Sequence, residues 1–258
     1  MPASFADLQE LRPPGDRSWA DPFPIIRDER CWIFFEEVIH HPKKGRLAVM
    51  ELFADGSLGA IDVILDKPYH LSYPFVFEFD GAWWMIPESR QNRTVDLYRC
   101  EEWPAKWAYE KTIISGEEIV DATLWEHGGC WWLFGGVPEQ KGGNASGLLD
   151  LFWADSPLSD QWTPHPQCPV IAGNDCSRPA GKVFRHDGKL IRPAQDCSVR
   201  YGYAVKMMQI EELTPDCYRE TEIQTYLPDF APGLRATHTF NRAEDWLLAD
   251  GARRIWPG

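Results

Sequence analysis

Several features of common protein classes are missing from this chain of 258 residues. No apolar run approaches the roughly 18 residues that a membrane-spanning helix needs. The first residues lack a basic segment followed by an apolar one, so no secretory signal is predicted. The seven cysteines are odd in number, scattered, and never spaced as Cys-x-x-Cys, which disfavours a zinc ribbon and a disulfide scaffold. We therefore expect a cytoplasmic protein with reduced thiols and no membrane span.

Clustered basic residues are also missing. The formal net charge is −13 at pH 7. Binding to nucleic acid depends on grouped Lys and Arg side chains that release counterions, so no nucleic-acid partner is expected. The one basic cluster, "HHPKKGR" at 40–46, is interpreted as a solvated hairpin tip rather than a phosphate site. Motifs for nucleotides, for a zinc protease and for a serine nucleophile are absent as well, and no cofactor is expected.

What the chain does have is aromatic residues and a repeated pattern. It contains 13 tryptophans, and 44% of its residues are hydrophobic, as in a folded globular protein. A short strand, a turn and a second apolar strand recur five times. These hairpins are "ADPFPIIRDERCWIFFEE" (20–37), "SYPFVFEFDGAWWMIPES" (72–89), "VDATLWEHGGCWWLFGG" (120–136), "SRPAGKVFRHDGKLIRPAQD" (177–196) and "THTFNRAEDWLLADGARR" (237–254). Asp-Gly or Gly-Gly in three of their centres is a strong hairpin signal, because type I′ turns need positive φ.

The first four hairpins are each followed by two further alternating strands. Four strands per unit, at a spacing of about 50–60 residues, are typical of a propeller blade. The sequence therefore predicts an all-β fold, a five-bladed β-propeller that forms a single domain over 1–258. The fifth unit ends after its second strand, and residues 1–19 are the candidate for closing the ring. A two-sheet sandwich is the rival, but it does not explain five similar hairpins.

Aligning the repeats places one residue of each first strand at the same position, where a propeller lines its central channel. These residues are Asp21, Tyr73, Asp121, Arg178 and His238. A purely structural position would be expected to repeat one small or apolar type, so five different polar or aromatic side chains indicate a binding site. The alternative for the two aspartates is that they act as turn or cap residues.

Several segments carry a resemblance to known families. The "ADPF" at the entry to the first repeat, with a further Asp in a later one, resembles the five-bladed glycoside hydrolases of families 43 and 32. More specifically, "PYHLSYPFVFEFDGAWWMIPES", "SPLSDQWTPHP", "RPAGKVFRHDGKLIRPAQDCSVRYGYAV" and "HTFN" resemble the propeller-like N-terminal domain of glucosamine inositolphosphorylceramide transferases and its bacterial stand-alone or formyltransferase-fused relatives. The resemblance covers roughly 20–254. It implies a propeller in a carbohydrate context and does not imply transferase activity, which resides in a separate domain of those proteins.

The likeness to the five-bladed glycosidases also implies catalytic roles. Asp21 matches their base or nucleophile, and Asp121 matches the aspartate that tunes the acid. Glycoside hydrolysis needs a protonated carboxylic acid facing a carboxylate across the sugar. The motif that carries this acid has no match here. Glu88, at the end of a second strand, is the candidate, and Glu36 and Glu37 occupy the comparable place in the first repeat.

The remaining polar candidates are interpreted as ligand-binding residues. They are Tyr73, Arg178, Arg192, Gln195, Asp196 and His238. Arg suits bidentate contacts with carboxylates, phosphates or vicinal hydroxyls. An Arg192–Asp196 salt bridge is the structural alternative, and His238 is either a satisfied core imidazole or the neighbour of a channel ion. The tryptophan pairs 83–84 and 131–132 are predicted to pack in the core, with sugar stacking as the alternative.

Two function classes follow from these residues. The first is a glycan-processing enzyme that uses Asp21, Asp121 and Glu88. The second is a sugar-recognition module that binds a carbohydrate or sugar conjugate for a partner glycosyltransferase or formyltransferase. The enzyme requires a carboxyl pair within glycosidase reach, about 5–9.5 Å. The recognition module predicts a polar pocket whose acids are paired with arginine.

Overall fold

The five hairpins form, and four of them grow into larger antiparallel sheets. The computed structural model describes residues 1–2 and 4–253. Sheet one consists of β1 (Arg17–Arg27), β2 (Arg30–His40), β3 (Lys43–Leu52) and β4 (Asp62–Leu65) in that order. Sheet two consists of β5 (Ser72–Phe79), β6 (Ala82–Ser89), β7 (Thr94–Glu102) and β8 (Lys106–Ser115). Strand order follows chain order in both sheets, as expected for propeller blades.

The later part of the chain repeats this layout with shorter strands. Sheet three consists of β9 (Val120–His127), β10 (Cys130–Val137), β11 (Leu148–Ala154) and the two short strands β12 (Thr163–Pro164) and β13 (Ile171–Ala172). Sheet four consists of β14 (Phe184–His186), β15 (Lys189–Asp196), β16 (Ala204–Leu213) and β17 (Tyr218–Tyr226). A small sheet consists of β18 (Phe240–Ala243) and β19 (Trp246–Ala249). Among the described residues, the single helical segment is a 3-10 turn, Arg90–Asn92, and no helix could cross a membrane.

Side chains from each sheet pack against the next sheet around the ring. Ring centroids lie 4.8 Å apart for Phe23–Tyr73, 5.5 Å for Phe79–Trp131, 5.9 Å for Phe134–Tyr218 and 5.8 Å for Phe184–Phe240. The small sheet reaches back to sheet one, where the Asn241 side-chain amide donates a hydrogen bond to the Pro22 carbonyl at 2.9 Å. This circular order confirms an all-β propeller and rules out a two-sheet sandwich.

The predicted number of blades is wrong. The fold has four full sheets, and the fifth hairpin remains the two-stranded sheet β18–β19. Within 1–19, the described residues (1–2 and 4–19) contribute no strand to it, because β1 begins at Arg17 and pairs with β2. Instead Phe5 stacks on Tyr226 at 4.1 Å and on Phe240 at 5.7 Å. The N-terminal segment therefore covers the junction between sheet four and the small sheet.

The tryptophan pairs pack within and between the sheets, as the core interpretation predicts. Trp84 and Trp132 are buried, and their indole N–H groups donate to the carbonyls of Phe79 and His127 at 3.2 and 3.0 Å. Trp83 lies 4.8 Å from the ring of Trp103. Buried indoles with a satisfied N–H supply large apolar contacts. They stabilise the sheets and leave the channel to the polar residues.

Candidate functional site

A shared backbone feature places three of the aligned residues in the channel. Asp21, Tyr73 and Asp121 have φ angles of 49°, 45° and 53°. In each strand the pairing register shifts at this point. A shift of this kind means that one strand has an extra residue relative to its partner. This feature is a β-bulge, which redirects a side chain and is common beside functional sites. Positive φ in a residue other than glycine is uncommon and costs free energy. Its occurrence at the same repeat position in three sheets indicates that these sheets share one local backbone conformation there.

Asp21 is buried and held by two neighbouring sheets. Its Oδ2 accepts a hydrogen bond from the Tyr73 backbone N–H at 3.1 Å, and its Oδ1 accepts one from the Thr239 hydroxyl at 2.6 Å. Burial raises the pKa of Asp21 to about 7, against the opposing effect of His238. The carboxyl group is therefore divided between its protonated and ionised forms near neutral pH.

His238 lies beside Asp21 and is paired with an aspartate that the sequence analysis did not identify. Its Nδ1 lies 2.5 Å from Asp250 Oδ2, and its Nε2 lies 3.7 Å from Asp21 Oδ1. Burial opposes the charge, but the Asp250 carboxylate prevails and raises the pKa of His238 to about 10. The imidazolium lowers the pKa of Asp250 in turn, although burial of that carboxyl opposes this shift. His238 is thus a charged imidazole whose Nδ1 is satisfied by Asp250.

The same three residues are the group that could hold a cation. Their ligand atoms, one from each of Asp21, His238 and Asp250, all lie within 4.8 Å of one another. A bound cation requires a neutral imidazole. In its protonated form His238 pairs with Asp250 at 2.5 Å, while its Nε2 lies 3.7 Å from Asp21 Oδ1, so a cation at this group would have to displace the imidazole proton.

Asp121 is bound by two side chains from sheet four and its entry segment. Arg178 Nε lies 2.5 Å from Oδ2 and Nη2 lies 3.3 Å from Oδ1, while the Gln195 amide donates to Oδ2 at 2.9 Å. Gly136 has no side chain, and this leaves space for the side chain of Arg178 beside it. A Cβ at Gly136 would lie 3.5 Å from Arg178 Cγ and 2.9 Å from the Ala145 carbonyl oxygen.

Glu88 lies on the other side of Arg178. Its Oε2 is 3.5 Å from Arg178 Nη2. Burial, followed by the nearby charge of Asp121, raises the pKa of Glu88 to about 8, although Arg178 opposes the shift. At neutral pH this carboxyl group carries its proton. A buried, protonated acid beside a carboxylate is the arrangement that a general acid needs.

Glu88 also lines an open cavity of about 450 Å³. The other lining residues are His70, Arg90, Gln91, Arg93, Glu118 and Gly142. His70 Nε2 lies 2.8 Å from Glu36 Oε1. Burial opposes the charge on His70, but the hydrogen bond to Glu36 raises its pKa. Glu88 is the one predicted catalytic residue that lines this cavity within the described part of the chain, and Asp21 is buried.

Hydrogen bonds and ion pairs connect most of the predicted site residues. The Tyr73 hydroxyl lies 2.8 Å from the Thr123 hydroxyl, which donates to the Asp121 carbonyl at 3.0 Å. Together with the contacts above, one network joins Asp21, Tyr73, Glu88, Asp121, Arg178, Gln195 and His238.

Two predicted ligand-binding residues make other contacts. Arg192 is fully buried in sheet four, where its Nη2 lies 2.5 Å from Glu220 Oε1. Asp196 Oδ1 accepts hydrogen bonds from the Ser198 backbone N–H at 2.9 Å and its hydroxyl at 2.6 Å. The alternative Arg192–Asp196 bridge is therefore not formed, since Arg192 pairs with Glu220 and Asp196 with Ser198. Glu37 is buried and paired with Arg17 and Arg46, and Glu36 is buried and paired with His70, whereas Glu88 lines the cavity.

A second position in the repeats holds residues that the sequence analysis only partly identified. Glu36 pairs with the residue before Asp21, Glu88 pairs with the residue before Tyr73, and Gly136 pairs with the residue before Asp121. Asp250 also lies at the end of a second strand, in the small sheet, but its N–H donates to the carbonyl of Thr239, the residue after His238, at 3.2 Å. The ends of the second strands thus carry three carboxyl groups, those of Glu36, Glu88 and Asp250. A comparison of these strand ends in the sequence would have identified Asp250.

These features define the class of protein: a propeller of antiparallel sheets with a carboxyl-rich channel, an arginine paired with Asp121, and a glutamic acid of raised pKa at an open cavity. Within this class, the chain belongs to the family described as "Glucosamine inositolphosphorylceramide transferase 1, N-terminal", whose model matches residues 11–243. Glucosamine inositolphosphorylceramide transferase 1 of Oryza sativa subsp. japonica is 32% identical over 220 residues, which is 84% of this chain and 29% of that protein. The Arabidopsis thaliana protein of the same name is 33% identical over 207 residues, 79% of this chain and 27% of that protein. The chain thus spans less than a third of these relatives.

Solved structures share the fold at low sequence identity. The catalytic domain of the Coprinopsis cinerea family 62 α-L-arabinofuranosidase superposes with a TM-score of 0.65 at 16% identity, covering 89% of this chain and 79% of that one. A family 43 enzyme of Xanthomonas citri, complexed with xylose, superposes with a TM-score of 0.61 at 10% identity, covering 90% and 80%. These likenesses establish a propeller fold similar to that of glycoside hydrolases.

Proposed function

We propose that this chain cleaves or transfers a glycosidic bond of a sugar conjugate at the channel mouth, with Glu88 as the general acid. The observation that carries the proposal is the position of Glu88, which is buried beside Asp121 and opens onto the cavity. A general acid is most effective when its pKa lies near the operating pH. A pKa of about 8 keeps the proton on Glu88 at neutral pH and still allows its transfer to a leaving-group oxygen.

The other two carboxyl groups take complementary roles in this proposal. Asp121 is paired with Arg178, and its nearby charge adds to the effect of burial in raising the pKa of Glu88. Asp21 acts as the base or nucleophile, since a pKa of about 7 leaves much of this carboxyl ionised at neutral pH. Two carboxyl groups with different environments and different roles are the basis of glycoside hydrolysis.

The comparisons support a carbohydrate substrate and suggest which sugars to test. The names of the plant relatives contain glucosamine and inositol, and the names of the structural neighbours contain arabinofuranoside and xylose. Glucosaminides, xylosides, arabinofuranosides and inositol glycans are therefore the first compounds to test.

A specific observation favours a second function, recognition without catalysis. Both oxygens of Asp21 already accept protein hydrogen bonds, and Asp121 is bound by Arg178 at two atoms. In this alternative the channel holds a sugar conjugate for a glycosyltransferase or formyltransferase partner, and its acids are structural.

The experiment that separates the two functions is a screen for sugar release combined with a binding measurement. Wild type is compared with Asp21→Asn, which keeps the shape of the side chain but removes its charge. Asp96→Asn is the matched control, because Asp96 is a buried aspartate on the third strand of sheet two. For an enzyme, Asp21→Asn loses release while binding persists, since an interaction specific to the transition state is lost. Binding by wild type without any release supports recognition, and the absence of both contradicts the proposal.

A further inference from the structure

An exposed tyrosine stands beside the carboxyl network, on the loop that connects β15 to β16. Tyr201 is 49% exposed as a residue, one of the largest fractions among the large apolar residues that the structure describes, although burial of its hydroxyl end raises the pKa of that group. Arg178 Cζ lies 5.0 Å from the centroid of its ring, and the ring of His238 lies 5.5 Å away, edge-on at 67°. A cation over an aromatic ring contacts one face of that ring. The ring is thus supported from the channel side and remains accessible from outside.

The loop that carries Tyr201 is fixed at both ends. Asp196 Oδ1 binds the backbone and hydroxyl of Ser198, and the Cys197 N–H donates to the Asn174 carbonyl at 2.7 Å. On the other side of Tyr201, the Tyr203 N–H donates to the Asp196 carbonyl at 2.9 Å. Asp196, which the sequence analysis assigned to ligand binding, therefore holds the loop in place.

Gly202 allows the loop to approach the channel. Its φ of 59° is in the left-handed region, and a Cβ at this position would lie 2.8 Å from His238 Cβ. The Gly202 carbonyl also accepts a hydrogen bond from the Thr237 N–H at 3.0 Å. A larger residue would push the loop away from His238, so the sequence and the contacts both keep the Tyr201 ring at the channel.

We propose that Tyr201 is a sugar-stacking platform, which binds the apolar face of a pyranose or furanose ring beside Glu88 and Arg178. The inference rests on the proposed function and adds the residue that orients the sugar. An aromatic side chain offers a flat apolar surface at low cost in conformational entropy, and a loop that is already fixed adds little further cost on binding. Exposure alone does not single out Tyr201, because Tyr109 on β8 is 54% exposed. Tyr201 is distinguished from Tyr109 by its fixed loop and by its contacts with Arg178 and His238.

The test measures the affinity of four probes by calorimetric titration and saturation-transfer NMR. The probes are methyl glucosaminide, methyl xyloside, methyl arabinofuranoside and myo-inositol. Tyr201→Ala is expected to weaken the probe that wild type binds best by about tenfold, whereas Tyr201→Phe, which keeps the ring, stays within about twofold. Tyr109→Ala is the matched exposed control and should leave affinity unchanged. Saturation transfer should reach the ring protons of the sugar in wild type and fall in Tyr201→Ala.

Each other outcome is decisive. Wild-type binding that Tyr201→Ala leaves unchanged overturns the platform and leaves the proposed function standing. An equal loss in Tyr201→Phe and Tyr201→Ala assigns the effect to the hydroxyl group and overturns stacking. If Tyr201→Ala does not fold, Tyr201→Leu replaces it, since it keeps apolar bulk without a flat ring. Failure of wild type to bind any of the four probes overturns the proposed function together with the platform.

Discussion

Arg178 binds the carboxylate of Asp121 at two atoms, with Nε 2.5 Å from Oδ2 and Nη2 3.3 Å from Oδ1. The side chains are only 11% and 2% exposed. The pair joins the segment before sheet four to the first strand of sheet three. Its charges also act on Glu88, whose pKa is raised by burial and then by Asp121 and is lowered by Arg178. Removing one member leaves a buried charge without its partner, which is strongly destabilising.

Arg178→Met should therefore lower the free energy of unfolding by about 3–5 kcal/mol. Methionine keeps most of the side-chain volume, so the loss reports on the charge. Urea denaturation measures the change. Adding Asp121→Asn to this variant removes the unpaired carboxylate and should recover part of the loss. A single variant within about 1 kcal/mol of wild type, the scale of an exposed ion pair, contradicts the account of the channel.

The raised pKa of Glu88 predicts how stability depends on pH. Between the ordinary value of 4.5 and about 8, the folded state keeps a proton that the unfolded state has lost. Stability therefore falls as pH rises through this window, by up to about 1.4 kcal/mol per pH unit for this group. Glu88→Gln removes this contribution, so its profile between pH 5 and 8 should be flatter than that of wild type. If urea denaturation gives parallel profiles of stability against pH for wild type and Glu88→Gln, Glu88 is not protonated in the folded state over this range.

Gly181 predicts a large packing effect at the junction of three sheets. Its N–H donates to the Tyr73 hydroxyl at 2.8 Å, its φ is 138°, and a Cβ would lie 2.0 Å from the Phe240 carbonyl oxygen. Gly181→Ala should cost about 2–5 kcal/mol in thermal or urea unfolding, from strain and overpacking together. The control is Gly188→Ala at the tip of the β14–β15 hairpin, where φ is 77° and nothing lies within 4 Å of the added methyl. Equal losses in the two variants count against close packing at Gly181.

The sequence predicts the sheets well because hairpins are local. Turn signals and alternating strands repeat, and the aligned positions Asp21, Tyr73 and Asp121 have nearly the same φ. Arg178 and His238 meet the same network although they precede β14 and β18 and do not share the positive φ. The position of a residue within the repeat therefore predicts more of the site than the short sequence motifs do.

The parts that sequence reasoning missed depend on contacts between distant segments. The small sheet has only the two strands β18 and β19. No local sequence pattern predicts which segment packs over it. Arg192 pairs with Glu220, which is 28 residues away on β17, and so its burial could not be inferred from the neighbouring Asp196. Tyr201 lies on a loop outside the repeats, where periodicity gives no information. Its position follows from Gly202, whose close approach to His238 is visible only in three dimensions.

The central claim is that Glu88 donates a proton to the leaving group of a glycoside. The most direct measurement compares kcat/KM of wild type and Glu88→Gln on two glycosides of the same sugar, a methyl glycoside and a 2,4-dinitrophenyl glycoside. The methyl leaving group needs protonation, and the dinitrophenyl group does not. The account predicts that Glu88→Gln loses about 100- to 10,000-fold on the methyl glycoside and little on the dinitrophenyl glycoside. An equal loss on both substrates, or no release from either by wild type, contradicts it.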